Sequence, residues 1–131
     1  MHLQNYGTVF ATIADKDKEE ALPLIRRFYN LGFNIQATSG TAEYLKANGI
    51  RTHVLNKIHE DPDEIPDALR QGHIAYVINA RDIGSGLMTD GYEISRYASE
   101  NNVTMFTSLD TVKVLLDVLE ETTLTISTID A

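Results

Sequence analysis

Short runs of β-branched and apolar residues alternate with stretches whose apolar residues recur at helical spacing, and this alternation constrains the fold more than any other feature. Residues 7–14 (GTVFATIA), 33–37, 52–56, 74–79 (IAYVIN) and 104–107 read as strands. Between the first two, Leu22, Ile25, Phe28 and Tyr29 mark a helix that stops at Gly32. Pro23 cannot sit deep in that helix without a kink, so the first turn lies near residues 19–22 or is bent. Residues 41–48 form a short helix stopped by Gly49, and Ile65, Ala68 and Leu69 another that ends before Gly72. Ile94, Tyr97 and Ala98 mark a fourth helix. Asp110 is a plausible N-cap for a fifth, with Val112, Leu115, Leu116 and Leu119 on one face. Residues 81–90 hold Gly84, Ser85 and Gly86 and read as an irregular loop. The tail, 123–129, alternates in the manner of an edge strand. Strands that alternate with helices pair in parallel through right-handed crossovers. The expected fold is α/β: a three-layer α/β/α sandwich around a mainly parallel sheet of about five strands.

A chain of 131 residues fits one domain, here 1–131, with the polar start 1–6 standing outside the pattern. It needs no disulfide or metal to close a core. It has no cysteine, which removes disulfides, thiolate metal sites and cysteine nucleophiles and fits a reducing, cytoplasmic setting. The formal net charge of −8 opposes a general nucleic-acid surface, because a phosphate backbone needs a basic face. No apolar run approaches the roughly 20 residues of a membrane span, so no membrane partner is expected.

In parallel sheets ligands bind beyond the carboxyl ends of the strands. The first strand leads there to Lys16 and Lys18, the second to Thr38-Ser39-Gly40-Thr41, the third to Asn56-Lys57 and the fourth to Asn79. Ammonium groups, hydroxyls, an amide and a glycine turn at a helix start thus meet on one edge. Helix N-termini favour anions, Gly40 permits close backbone approach, and hydroxyls donate to phosphate oxygens. Taken singly, Thr38-Ser39-Gly40-Thr41 is more often a helix cap or turn, and Asn79 a cap on its strand end; their convergence points to an anion site. Ile65 and Ile94 each follow a strand-end loop, and two placements are open: an apolar wall beside a ligand's ring, or core-facing helix positions.

Other constellations are poorer. The histidines are scattered, and His59-Glu60-Asp61 is better read as a solvated loop than as a metal site. Ser39 has no histidine and carboxylate partners, so no catalytic residue is assigned.

Asp17-Lys18-Glu19, Gly32-Phe33-Asn34-Ile35, Ala37-Thr38-Ser39-Gly40-Thr41, Gly49-Ile50, Asn56-Lys57-Ile58-His59-Glu60, Ile78-Asn79 and Thr107-Ser108-Leu109-Asp110-Thr111 together carry a resemblance. From about Gly7 to Leu119 the chain resembles the methylglyoxal-synthase-like domain family, and within it the carboxy-terminal allosteric domain of the carbamoyl-phosphate synthase large chain. The resemblance implies a regulatory domain of an enzyme that makes carbamoyl phosphate for arginine and pyrimidine synthesis. ATP, with magnesium or manganese, and the ATP-grasp and glutaminase machinery would belong to that parent; the 131-residue chain alone would not be an enzyme. By the same resemblance, Lys18, Thr38, Thr41, Lys57 and Asn79 hold an effector's phosphate, the effector being UMP, IMP or phosphoribosyl pyrophosphate. Thr107 and Ser108 lie near the segment where ornithine acts in some members, at the border with the neighbouring domain. After Asn79 the family often has hydroxyl residues; this chain has Ala80 and Arg81, which removes a donor and adds a planar cationic fork suited to phosphate.

Two rivals stand beside this reading. Methylglyoxal synthase needs a carboxylate base in its phosphate pocket and carries a Gly-Gly-Asp-Gln-type segment after strand three. Lys57-Ile58-His59-Glu60-Asp61-Pro62 occupies that stretch here. The other rival is an interaction module with an empty pocket. The cyclohydrolase domain of purine synthesis shares the family fold, but its lysine-rich segments are not evident.

Overall fold

The computed structural model describes residues 6–56, 60–80 and 90–130. The strands are β1 Thr8–Ile13, β2 Asn34–Thr38, β3 His53–Leu55, β4 Ile74–Ala80 and β5 Thr104–Phe106. The helices are α1 Lys18–Asn30, α2 Ser39–Ala47, α3 Glu64–Arg70, α4 Asp90–Glu100 and α5 Leu109–Asp130. All pairings are parallel, in the order β3-β2-β1-β4-β5. The connections from β1 run outward one way to β2 and β3, then return to β4 and β5 on the other side. The topological switch point therefore lies between β1 and β4, where an open α/β sheet parts to form a crevice.

Helices cover both faces, as the periodicity predicts. On one face Val9, Ala11, Ile35, Ala37 and Ile78 pack against α1, α2 and α5 through Ile25, Phe28, Leu45, Val112 and Leu116. On the other, Phe10, Leu55 and Val77 pack against α3 and α4 through Ile65, Leu69, Ile94 and Ala98. β1 and β4 are buried along their whole length, which is why they read as nearly unbroken apolar runs. The first core holds an aromatic chain. Phe28 meets Phe33 edge-on, with centroids 5.3 Å apart, and Tyr76 lies 6.2 Å from Phe28 and 6.0 Å from Phe106.

Two local expectations need correction. Residues 123–129 are not an edge strand but continue α5. No glycine or proline interrupts the chain between Leu109 and Asp130, and extending an existing helix adds a bond per residue without a new nucleus. The cap of α5 is Ser108 rather than Asp110: the Asp110 N–H donates to Ser108 Oγ at 3.2 Å. Pro23 stands early in α1, in its second turn, after a first turn that begins at Lys18, close to the expected place. Its ring is exposed, so the Glu19 carbonyl that loses a helical partner lies on the solvent side.

Arg27 joins α1 to α5. Its guanidinium donates from Nε to Glu120 Oε2 at 3.0 Å and from Nη2 to Glu120 Oε1 at 2.6 Å, and it reaches Asp117 Oδ1 at 2.7 Å. The hydrogen bonds from Arg27 hold the Glu120 carboxyl below its usual range. The pair's contribution is therefore present above the ordinary carboxylate pKa and is lost as pH falls through the lowered value. Because the partners are partly exposed, Arg27→Met is expected to lower unfolding free energy by only about 1 kcal/mol at neutral pH. The gap to the parent protein should close as the solution is made acid enough to protonate Glu120, as urea midpoints at neutral and acid pH will show.

Candidate anion site at the carboxyl edge

At the carboxyl edge, the register sets Thr12 on β1 beside Asn79 on β4. Thr38 ends β2 on the other side of Thr12, and its Oγ1 donates to Thr12 Oγ1 at 3.2 Å. All three residues are buried and lie on the sheet face that packs against α3 and α4, since Phe10 and Val77 two residues earlier face that core. A row of polar side chains thus crosses three adjacent strands at the switch point. Thr38 gives its proton to Thr12, so the Thr12 hydroxyl keeps its own proton to donate. The amide nitrogen of Asn79 approaches Met105 Sδ at 3.9 Å. Sequence reasoning missed Thr12, whose part depends on neighbours 26 positions or more away.

On the other side of the edge, α1 and α2 begin. Thr38 occupies the N-cap position of α2 but makes no side-chain cap bond. The first N–H groups of α2, at Ser39, Gly40 and Thr41, are therefore uncapped by it, and Ser39 and Gly40 are exposed. Lys18, the first residue of α1, leans over this helix start: a Cβ placed on Gly40 would lie 3.5 Å from its Nζ. Lys18 is ion-paired with Asp15, and its side chain is only 15% exposed against 94% for Asp15. The Lys18 ammonium is thus held beside the helix start, while the Asp15 carboxylate faces solvent. Lys18 and Gly40 line an open cleft of about 560 Å³ with Tyr44 and the carboxylates of Asp15, Glu19 and Glu43. That acidic rim favours a ligand whose charge is concentrated at the helix start rather than a diffuse polyanion.

Thr41 does not face the cleft. Its Oγ1 accepts from the Ile13 N–H at 3.0 Å and donates to the Ile13 carbonyl at 3.4 Å, which fastens α2 to the end of β1. The hydroxyl is a strut for the site rather than one of its donors. Lys16 is exposed on the short 3-10 turn Asp15–Asp17. At the end of β3 the Asn56 N–H and Nδ2 donate to the Glu64 carboxylate at 2.9 and 3.1 Å, fixing the corner that leads to Lys57. Lys57 and Arg81 lie outside the described residues, as does His59.

Ile65 and Ile94 are completely buried in the second core, the core-facing one of the two placements open to them. Ser108 is the α5 cap, and Thr107 is exposed beside it. Among the described residues no group of three histidines or carboxylates is placed to hold a metal ion. No helix among them is long and apolar enough to cross a membrane.

Residues 20–107, two thirds of the chain, match the family model described as the MGS-like domain. Among solved structures, a methylglyoxal synthase from Elizabethkingia anophelis NUHP1 is similar with a TM-score of 0.71 and 17% identity. The match covers 87% of this chain and 79% of that one. A blue fluorescent protein from a metagenomic library, solved in complex with NADPH, matches at 22% identity over 72% of this chain and 46% of that one. Its TM-score of 0.31 is too low to bear on the fold. The alternating βα order, the five-stranded parallel sheet and the match over residues 20–107 agree: the chain belongs to the MGS-like domain family.

Proposed function

We propose that this domain binds a phosphorylated effector at the carboxyl edge and regulates carbamoyl phosphate synthesis, as the allosteric domain of a carbamoyl-phosphate synthase large chain. The observation that carries the anion site is the pairing of Lys18 with the uncapped start of α2 at Gly40. One fixed ammonium and a fan of backbone N–H groups suit a phosphate, whose oxygens accept several donors at once. In this reading the phosphate displaces Asp15 from Lys18. Lys57, by the resemblance, and Arg81 would add further cations, and the row Thr12, Thr38 and Asn79 offers polar groups along the same carboxyl edge. The chain itself performs no covalent step. The ATP-grasp domains, the glutaminase chain, ATP and its divalent metal belong to the parent enzyme, in the cytoplasm, and the resemblance of the Asn56-Lys57-Ile58-His59-Glu60 and Thr38-to-Thr41 segments supports that parentage.

A second reading has one observation in its favour: Asp15, a carboxylate at the lip of the same cleft, could act as the base of a methylglyoxal synthase. Two measurements separate the readings. Calorimetry with UMP, IMP and phosphoribosyl pyrophosphate should give saturable heat with at least one of them. Incubation with dihydroxyacetone phosphate should release no methylglyoxal. Turnover that disappears in Asp15→Asn would overturn the regulatory reading in favour of the enzyme, and silence in both assays would leave an interaction module.

A further inference from the structure

A second cavity, of about 380 Å³, lies at the opposite end of the sheet and belongs to no part of the site above. Its architecture follows from a mismatch of strand lengths. β3 has three residues and starts at His53, paired with Gln36, so Asn34 and Ile35 at the start of β2 have no β3 neighbour. The chain entering β3 crosses the resulting notch. It is held there by Thr52 Oγ1 donating to the Ile50 carbonyl at 3.0 Å and by the Ile50 N–H bonded to Leu45 O at 3.0 Å. Tyr29, Asn34, Gln36, Arg51, Thr52 and His53 line the space.

Three features set it apart. No carboxylate lines it, in a chain with 19 Asp and Glu against 11 Lys and Arg, whereas three carboxylates rim the carboxyl-edge cleft. Arg51 is the second. Arg26, Arg27, Arg70 and Arg96 each bond a protein oxygen, whereas Arg51 makes no hydrogen bond or ion pair with a described residue. The third is Gln36, whose Oε1 is buried without a hydrogen-bond partner, an arrangement that costs free energy until a donor arrives. Rotation about its last torsion exchanges the amide oxygen and nitrogen, so the Gln36 amide can meet either a donor or an acceptor in the notch it lines.

We propose that this notch is a binding site for a small monoanionic carboxylate that carries an adjacent hydroxyl or amino donor. The planar fork of Arg51 takes a carboxylate through two parallel hydrogen bonds. A single permanent cation matches one negative charge and not a phosphate dianion. Gln36 takes the donor, Asn34 and His53 offer further polar partners, and the Tyr29 ring forms an apolar side.

The test is a titration of the whole chain with lactate, acetate and inorganic phosphate, monitored by nuclear magnetic resonance. Lactate should shift the signals of Gln36, Arg51 and His53 saturably, with a dissociation constant on the order of 1 mM. Acetate, which lacks the donor, should bind more weakly at the same residues, and phosphate should act at Lys18 instead. Arg51→Gln, an exposed change that should leave the melting temperature unaltered, should weaken lactate at least about tenfold. Lys18→Gln should leave lactate binding unaltered. The assignment fails if lactate produces no saturable shift at these residues, if Arg51→Gln binds it as well as the parent, or if phosphate competes for the notch with equal strength.

Discussion

Phe28→Ala is expected to lower the unfolding free energy by roughly 3–5 kcal/mol. Phe28 is fully buried on α1 and touches both Phe33, which opens the approach to β2, and Tyr76 in the centre of β4. Truncation removes its own apolar area and also strands the edge-on contact with Phe33 and the tilted one with Tyr76. The surroundings cannot collapse into the gap, because two of the three rings sit at the sheet, whose register is fixed by backbone pairing. A domain of ordinary stability, about 5–15 kcal/mol, would lose a large part of its margin. Phe28→Leu keeps much of the apolar volume and should cost far less. Urea unfolding of the two variants against the parent measures both. A loss under about 1 kcal/mol for Phe28→Ala would mean that the aromatic chain is loosely packed.

The layers were legible because burial on two faces leaves a plain mark. β1 and β4 are central, so their sequences are almost wholly apolar, and α1 declares its inner face through Ala21, Leu24, Ile25 and Phe28. The failures were decided by continuity rather than composition. The alternation of threonine and isoleucine after residue 122 satisfies a strand's period, yet those residues extend a helix already nucleated at Leu109. Ser108 and Asp110 are both good capping types, and only the backbone decides which stands at the turn.

The carboxyl edge was legible for a different reason: strand ends are visible in the sequence, and the fold rule gathers the residues just beyond them onto one edge. Lys18, Gly40, Thr38 and Asn79 are assigned to that edge in this way, and the structure places them there. The rule gives the edge but not the direction of a side chain. Thr41 looked like a donor to a ligand, but a contact 28 residues back in sequence, with the Ile13 peptide, occupies it. Thr12 looked like one more β-branched residue in an apolar run. Its place between Thr38 and Asn79 comes from the register of three strands, which no local pattern encodes.

Lys18→Ala should weaken binding of a phosphorylated effector by about ten- to a hundredfold, since a hydrogen bond to a charged group contributes about 1.5–3 kcal/mol. Lys18 is largely buried at the head of α1, so its ammonium is already positioned and little side-chain freedom remains to be lost on binding. Lys18→Arg keeps the charge, but its longer planar fork cannot occupy the same place over Gly40 and should restore binding only in part. Gly40→Ala probes the helix start. The added methyl would sit 3.5 Å from Lys18 Nζ, an ordinary contact, so folding should survive while the phosphate is kept from the α2 N–H groups. Thr41→Val should behave in the opposite way. Removing a buried hydroxyl that serves the Ile13 N–H leaves that group unsatisfied, at a cost of about 1–3 kcal/mol in stability, with a smaller effect on affinity. Calorimetry and urea denaturation on the same four variants separate ligand contact from strut. If Thr41→Val lost affinity as strongly as Lys18→Ala while keeping its full stability, the hydroxyl would have to swing from Ile13 to the ligand, and the division of labour between Lys18 and Thr41 would be wrong.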